Sequence, residues 1–292
     1  MNVPIAELDC IYLTYDEPKK EEFWVKIKNM VPWATRVDGV KGSDSAHKAA
    51  AAKSLTDRFV LIDGDNLPDP EFFDMHLTLD ESNEDCVFRW RARNAINGLV
   101  YGNGGLSCWT KDFVNNMRTH ESTDGRGETQ IEFCFDPKYL NLHNCYSTTH
   151  PNGSAYHAWR AGFREGVKMC TDRGTRIPLA DFEKRVYHGN YRNLCIWHSV
   201  GSDAEFGIDA MHGARLGTYL IMCTDWDYRE VQSFDALREI YERRTQYDME
   251  EVTTILNKKV SLPITDLAPK DSKFFKYCNS VHYNRDIMLR EF

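Results

Sequence analysis

The chain has 292 residues, 42% apolar and 27% charged, the proportions of a folded protein long enough for one large domain or a domain with a smaller lobe. No apolar run approaches the roughly 20 residues of a membrane span, and Met1-Asn2-Val3-Pro4 does not open a secretory signal. A net charge of −8 argues against a general nucleic-acid coat, and nine scattered cysteines without a Cys-x-x-Cys pair fit reduced thiols in a cytoplasmic setting better than a disulfide frame or a zinc site.

Residues 8–15 read as a first strand, broken at Asp16-Glu17-Pro18. Residues 19–30 read as an amphipathic helix with Phe23, Ile27 and Met30 at core spacing, stopped by Pro32. A short strand over 34–38 follows, then Gly39 and Gly42. Ser43 or Asp44 can cap a helix over 46–55, which is rich in alanine. Phe59-Val60-Leu61-Ile62 is a continuous apolar run that stops at Asp63-Gly64-Asp65, as a buried strand does. The β-α-β-α-β order implies a parallel sheet covered by helices, with the two aspartates at a strand's carboxyl end, where such sheets bind ligands. By itself Asp-Gly-Asp is either an ordinary turn or a pair of oxygen ligands for Mg²⁺ or Mn²⁺.

Pro68-Asp69-Pro70 marks a turn before a short helical or irregular segment at 71–73. Residues 86–93 alternate as a strand. Residues 100–109 read as a glycine-rich turn, with Gly102, Gly104 and Gly105, leading into a strand. A short helix over 111–117, a polar loop over 120–127, strands over 131–135 and 140–146 and a loop over 147–153 complete the first half. Tyr156, Trp159, Phe163, Val167 and Cys170 then fall at helical spacing, and 179–187, 206–219 and 233–244 also read as helices. The organisation expected is an α/β part over residues 1–150 and a mainly helical part over 151–292. Residues 151–200 hold eight Lys/Arg against four Asp/Glu, so they carry +4 and the remainder −12. This is either a solvated helical face or a basic surface on an acidic protein.

A parallel sheet, an Asp-x-Asp at a strand end and a downstream glycine pair together suggest nucleotide-sugar chemistry. A metal on Asp63 and Asp65 would neutralise a donor's diphosphate. Gly104 and Gly105, without side chains, would permit close approach of a sugar, or form a plain turn or bulge. No Gly-x-x-x-x-Gly-Lys-Ser/Thr loop or Gly-x-Gly-x-x-Gly follows the first strand, where Tyr15-Asp16-Glu17-Pro18 stands instead.

Seven ordered segments carry a resemblance over about residues 8–220. They are Tyr15 to Pro18, Arg36 to Gly42, Ala46-His47-Lys48-Ala49-Ala50, Asp63 to Asp65, Arg93 to Gly105 and Trp159 to Glu165, followed by the glycine-rich stretch from Gly207 to Gly217. With these the sequence resembles the GT-A glycosyltransferases, and within them a bacteriophage group that includes enzymes thought to add arabinose or glucose to 5-hydroxymethylcytosine in DNA. The resemblance implies an α/β fold with a Rossmann-type, mostly parallel sheet flanked by helices and a mainly helical C-terminal part. It implies a UDP-sugar donor, Mn²⁺ or Mg²⁺, hydroxymethylated DNA as partner, and work in the cytoplasm of an infected cell. Tyr15, Asp16, Arg36 and Asp38 would hold base and ribose, with Lys41 and His47 near the diphosphate or metal. His47 reads equally as a capping or core histidine.

Asp63 and Asp65 would bind the metal, joined by a C-terminal histidine, His212 or His150. Asp124 is the first candidate for the base that takes the acceptor's proton, with Asp209, Glu128 and Glu205 as rivals. On the basic segment, Arg160, Arg164, Arg173, Arg176 and Arg192 would meet DNA phosphates, and Tyr156, Trp159, Tyr187 and Tyr191 would stack on an extruded base or serve as core. The readings from other classes are a transferase acting on a glycan or small molecule, a non-catalytic nucleotide-sugar-binding protein, and a nucleotidyl- or phosphoryl-transfer enzyme.

Overall fold

The computed structural model describes residues 1–117 and 137–281. Its first half is built of β1 (Asn2–Pro4), β2 (Asp9–Thr14), α1 (Lys20–Met30), β3 (Thr35–Asp38), α2 (Ser43–Lys53), β4 (Arg58–Asp63), β5 (Asn66–Pro68), β6 (His76–Thr78), β7 (Val87–Asn94), β8 (Val100–Thr110), α3 (Lys111–Asn116) and β9 (Tyr139–Thr149). The second half runs α4 (Ala155–Lys168), the hairpin β10 (Thr171–Asp172) and β11 (Thr175–Arg176), α5 (Phe182–Arg185), α6 (His188–Ser199), α7 (Gly207–Cys223), α8 (Phe234–Arg243), α9 (Met249–Lys259) and α10 (Pro269–Val281).

Seven strands form the main sheet in the order β3-β2-β4-β8-β7-β9-β5. β3, β2 and β4 are parallel, β8 is antiparallel to both β4 and β7, and β9 is parallel to β7. Five of the seven strands therefore share one direction, as expected of a mostly parallel α/β sheet. Period-two alternation divides β4 between two cores. Val60 and Ile62 pack with Phe23 and Ile27 of α1, while Phe59 and Leu61 pack with Ala50 and Ala51 of α2 and Val114 of α3. Burial on both faces is why β4 is apolar from Phe59 to Ile62. Asp63, the next residue on the α2 face, leaves the sheet where that core ends.

Two expectations change here. Residues 100–109 are one long strand rather than a turn and a strand. Leu106 faces Trp90 while Tyr101 faces Ala92, so residues 102–105 bulge out against Arg91 alone. Gly102 (φ +56°) and Gly105 (φ +68°) take the left-handed backbone this needs. Second, β9 continues to Thr149 into the expected loop, because β5 gives its threonine-rich end a partner: Asn66 faces Thr149 and Pro68 faces Ser147. The expected loop at 120–127 and strand at 131–135, with the candidate bases Asp124 and Glu128, lie outside the described residues.

The helical part has its own core around Trp159, Phe163, Leu194, Trp197 and Leu216, and Ile96 and Leu99 from the β7–β8 connection enter it. Ser154 caps α4 through its side chain, which accepts from His157 N. The glycine-rich stretch of the resemblance turns out to be packing chemistry. A Cβ on Gly213 would lie 2.1 Å from Trp159 O, and one on Gly162 would lie 1.9 Å from Ala210 O. Gly166 and Gly217 are equally tight against Ala214 and Phe163. Helices α4 and α7 thus touch backbone to backbone. Among the described residues, no helix is long and apolar enough to cross a membrane.

Candidate functional site

The Asp63-Gly64-Asp65 turn is fixed from below and behind. Tyr12 Oη donates to Gly64 O at 2.7 Å, and His150 N donates to Asp65 O at 2.7 Å. Gly64 lets the Glu17 carboxylate lie against the turn, since a Cβ there would fall 2.4 Å from Glu17 Oε2. Gly105, in the β8 bulge, stands against Asp63 in the same way, its Cβ position 3.1 Å from Asp63 Oδ2. Of the glycine pair expected to admit a sugar, Gly105 makes room for the aspartate.

Both aspartates line a cavity of about 690 Å³. One wall comes from the sheet and α2, with His47, Arg89, Ser107, Trp109 and Tyr139; the other comes from the helical part, with Arg164, Glu165, Lys168, Arg173, Arg185 and Tyr187. Asp63 and Asp65 sit on the sheet side, and most of the cations sit opposite, together with Glu165 and Asp172. Asp63 is exposed to the open cavity while protein crowds around its carboxyl. Desolvation first, then the charges of Asp65 and Glu17, push its carboxyl up to about 7, against the opposing pull of Arg89. Asp65 is raised for the same first reason and by Glu17, with a bond to Thr149 working the other way. Two crowded carboxylates facing one cavity are a site whose charge a hard divalent cation would neutralise, and their oxygens suit Mg²⁺ or Mn²⁺. Among the described residues no group of three His, Cys, Asp or Glu converges as a ligand set. Among the described residues, the share of such a site that falls to the protein is the aspartate pair.

Because Asp63 is raised in the fold, its contribution to stability is present below the unfolded carboxyl pKa and is lost as pH rises through about 7. Thermal unfolding of metal-free protein between pH 4 and pH 8 should show that decline, and Asp63→Asn should flatten it. Equal slopes for the two proteins would contradict the raised carboxyl.

The other expected site residues divide. His47 lines the cavity, with its ring 5.2 Å from that of Trp109 and Nδ1 2.8 Å from Ser43 O. Tyr15, Asp16, Arg36 and Asp38 lie at or just beyond the carboxyl ends of β2 and β3, where they form a separate network. Arg36 makes two 2.8 Å bonds to Glu21, while Asp38 accepts from Lys20 at 2.7 Å and from Thr14 at 2.6 Å. Asp16 is held well below the usual carboxylate range by His157, 3.5 Å away, and by Arg160 at 3.2 Å. Lys41 is exposed between β3 and α2.

The structure does not bring His212 or Asp209 to the aspartate pair. Both are on α7, and neither lines the cavity. His150 packs its ring edge-on to Phe23, 5.1 Å away. Glu205 pairs with Lys19 at 3.5 Å. Of the arginines expected at DNA, Arg164 and Arg173 line the cavity. Arg160 is instead a strut: it joins Asp16 and lies 4.3 Å over the Phe234 ring. Arg176 donates to Thr224 O at 2.6 Å, and Arg192 donates to Asn193 at 3.3 Å. Tyr156 and Trp159 are core, Tyr191 bonds Ser261 O, and Tyr187 alone of the four aromatics is exposed at the cavity.

Sequence reasoning missed Arg89 and a polar chain on the helical wall. In that chain Trp197 Nε1 donates to Tyr101 Oη at 2.7 Å, and Tyr101 Oη donates to Glu165 at 2.6 Å. Lys168 stands 3.5 Å from the same carboxylate. The legible signal was the Glu165/Lys168 spacing on a basic helix, which places both on one face.

No protein-family model and no curated protein matches the sequence. Among solved structures, the chain is similar to a glycosyltransferase involved in the glycosylation of the major capsid of PBCV-1, with 12% identity over 48% of this chain and 92% of that one and a TM-score of 0.30.

Proposed function

We propose that this protein is a metal-dependent glycosyltransferase that moves a sugar, arabinose or glucose, from a UDP-sugar to the hydroxyl of 5-hydroxymethylcytosine in DNA. The observation that carries the reading is the cavity at the carboxyl end of β4, with Asp63 and Asp65 on one wall and a cationic wall facing them. Asp63 and Asp65 hold the divalent cation, whose chemistry when bound is Lewis-acid stabilisation of the departing diphosphate. Gly105 keeps Asp63 clear of β8 and His47 borders the diphosphate. Glu165 and Asp172 are the described carboxylates on the far wall that can accept the acceptor's proton.

Support for DNA as acceptor comes from the basic wall. Arg164, Lys168, Arg173 and Arg185 line the cavity beside exposed Tyr187, which suits a phosphate-flanked base turned out of a duplex. Arg173 sits at the tip of the β10–β11 hairpin at φ +49°, a strained backbone for a side chain with no glycine's freedom.

The test is incubation with hydroxymethylated DNA, Mn²⁺ and a panel of nucleotide sugars, with mass analysis of the nucleosides. A hexose or pentose added to 5-hydroxymethylcytosine is expected. The double variant Arg164→Glu/Arg173→Glu should bind DNA at least about tenfold more weakly at low salt and with a shallower salt slope. Sugar transfer to a glycan or small hydroxylated acceptor, with no DNA product and no change in DNA binding, would replace DNA with that acceptor.

A further inference from the structure

Three arginines of the described fold are deeply buried, and two have an internal reason to be. Arg58 on β4 donates to the carbonyls of Cys86 and Glu84 at 2.8 and 2.7 Å. Arg215 on α7 donates to His198 O, Thr253 and Asp266. Arg89 is different. It lies in the sheet interior on β7, opposite Ser107 of β8 and Asn141 of β9, and is only 4% exposed. Nη1 donates to Asn141 Oδ1 at 3.0 Å, and the guanidinium lies 5.3 Å over the Tyr139 ring. Among the described residues, Nη2 is buried with no hydrogen-bond partner and the side chain makes no ion pair. Of the three, it is Arg89 that lines the cavity holding Asp63 and Asp65.

A desolvated cation with an open N–H is costly to the free fold, and a neutral hydroxyl would satisfy the hydrogen bond but not the charge. Arg89 acts electrostatically on the charge of Asp63, with no direct bond between them. A cation shared by Asp63 and Asp65 would take up that charge and leave the guanidinium wanting an anion.

We propose that Arg89 Nη2 is the receptor for an anionic oxygen of the molecule that occupies the cavity. Its two sources are a diphosphate oxygen and the carboxylate of an acidic sugar. Naming those sources rests on the nucleotide-sugar reading; anion binding by Arg89 does not. The guanidinium is fixed by Asn141 and Tyr139 before the ligand arrives, so little order is lost on binding. Arginine rather than lysine suits the place, because one edge can hold Asn141 while another nitrogen meets the ligand.

The experiment is calorimetric titration of the full chain in chelator, without metal, with inorganic pyrophosphate and with glucuronate. Wild type, Arg89→Gln and Arg89→Lys are compared, each with its thermal midpoint. At least one anion should bind wild type and lose tenfold or more in Arg89→Gln, with Arg89→Lys between them. Response to pyrophosphate identifies the diphosphate, and response to glucuronate identifies an acidic sugar. The midpoint of free Arg89→Gln should equal or exceed that of wild type, whereas a merely structural arginine would lower it and leave anion affinity alone. Arg89→Lys keeps the buried charge and carries the comparison if the glutamine variant unfolds. Equal affinities across the three proteins, or no binding of either anion by wild type, would overturn the assignment. Absence of sugar transfer would strike the proposed reaction and leave this result standing.

Discussion

Asp65→Ala is expected to lower sugar transfer by a factor of about a thousand or more while leaving the protein folded. The chemistry assigned to the metal is worth several kcal/mol, and each 1.36 kcal/mol is tenfold in rate. The fold does not need this carboxylate charged. Burial and Glu17 already disfavour its ionised form, so alanine removes a strained charge together with one bond to Thr149. The turn itself is held by backbone bonds, Tyr12 Oη to Gly64 O and His150 N to Asp65 O, which alanine keeps. Steady-state transfer beside circular dichroism separates the two effects. Near-normal turnover in a folded Asp65→Ala protein would remove the aspartate pair from the reaction.

The second large effect is on stability. Gly213→Leu should destabilise the protein by more than about 3 kcal/mol, the upper part of the range for overpacking, because the obstacle is backbone rather than a side chain that can turn aside. Even the first carbon of the new side chain would fall 2.1 Å from Trp159 O. Relief requires α4 and α7 to separate, which would loosen Trp159, Phe163, Ala210 and Ala214 in the core they share. For a chain of this size that corresponds to a fall in thermal midpoint of roughly 6–12 °C. Gly166→Val should act similarly, since its Cβ would lie 2.3 Å from Ala214 O. A thermal midpoint unchanged within a degree or two would show that the helices are not locked by their glycines.

These two effects mark what a single sequence discloses. The α/β half was legible because its signals are local: an apolar run that stops at Asp63, a first helix stopped by Pro32, and strands that must lie parallel when helices join them. The expected cap was not, since α2 begins at Ser43 after Gly42 with no side-chain cap bond. The position of the aspartates at a strand end followed directly. The site's far wall was less legible, because it depends on partners distant in the chain. Arg160 looked available until Asp16, 144 positions away, claimed it. Arg89 belongs to an alternating run, Arg89-Trp90-Arg91-Ala92-Arg93, which reads as a strand with one wet face. In the fold β9 lies beside β7, Arg89 is buried and its pattern means something else. The stretch from Gly207 to Gly217 belonged to the resemblance, yet the spacing of Gly213 and Gly217, matched by Gly162 and Gly166, is that of a close helix contact. His212 and Asp209 then fall to α7 for packing reasons and away from the cavity.

The most direct test of the account is Mn²⁺ binding, followed by the spin-resonance signal of the free ion. With UDP present, wild-type protein should take up one Mn²⁺ per chain, more tightly than without the nucleotide. The double variant Asp63→Asn/Asp65→Asn, folded by circular dichroism, should take up none over the same range. Retention of that uptake by the double variant, or wild-type uptake indifferent to UDP, would contradict the aspartate pair as the metal–diphosphate site.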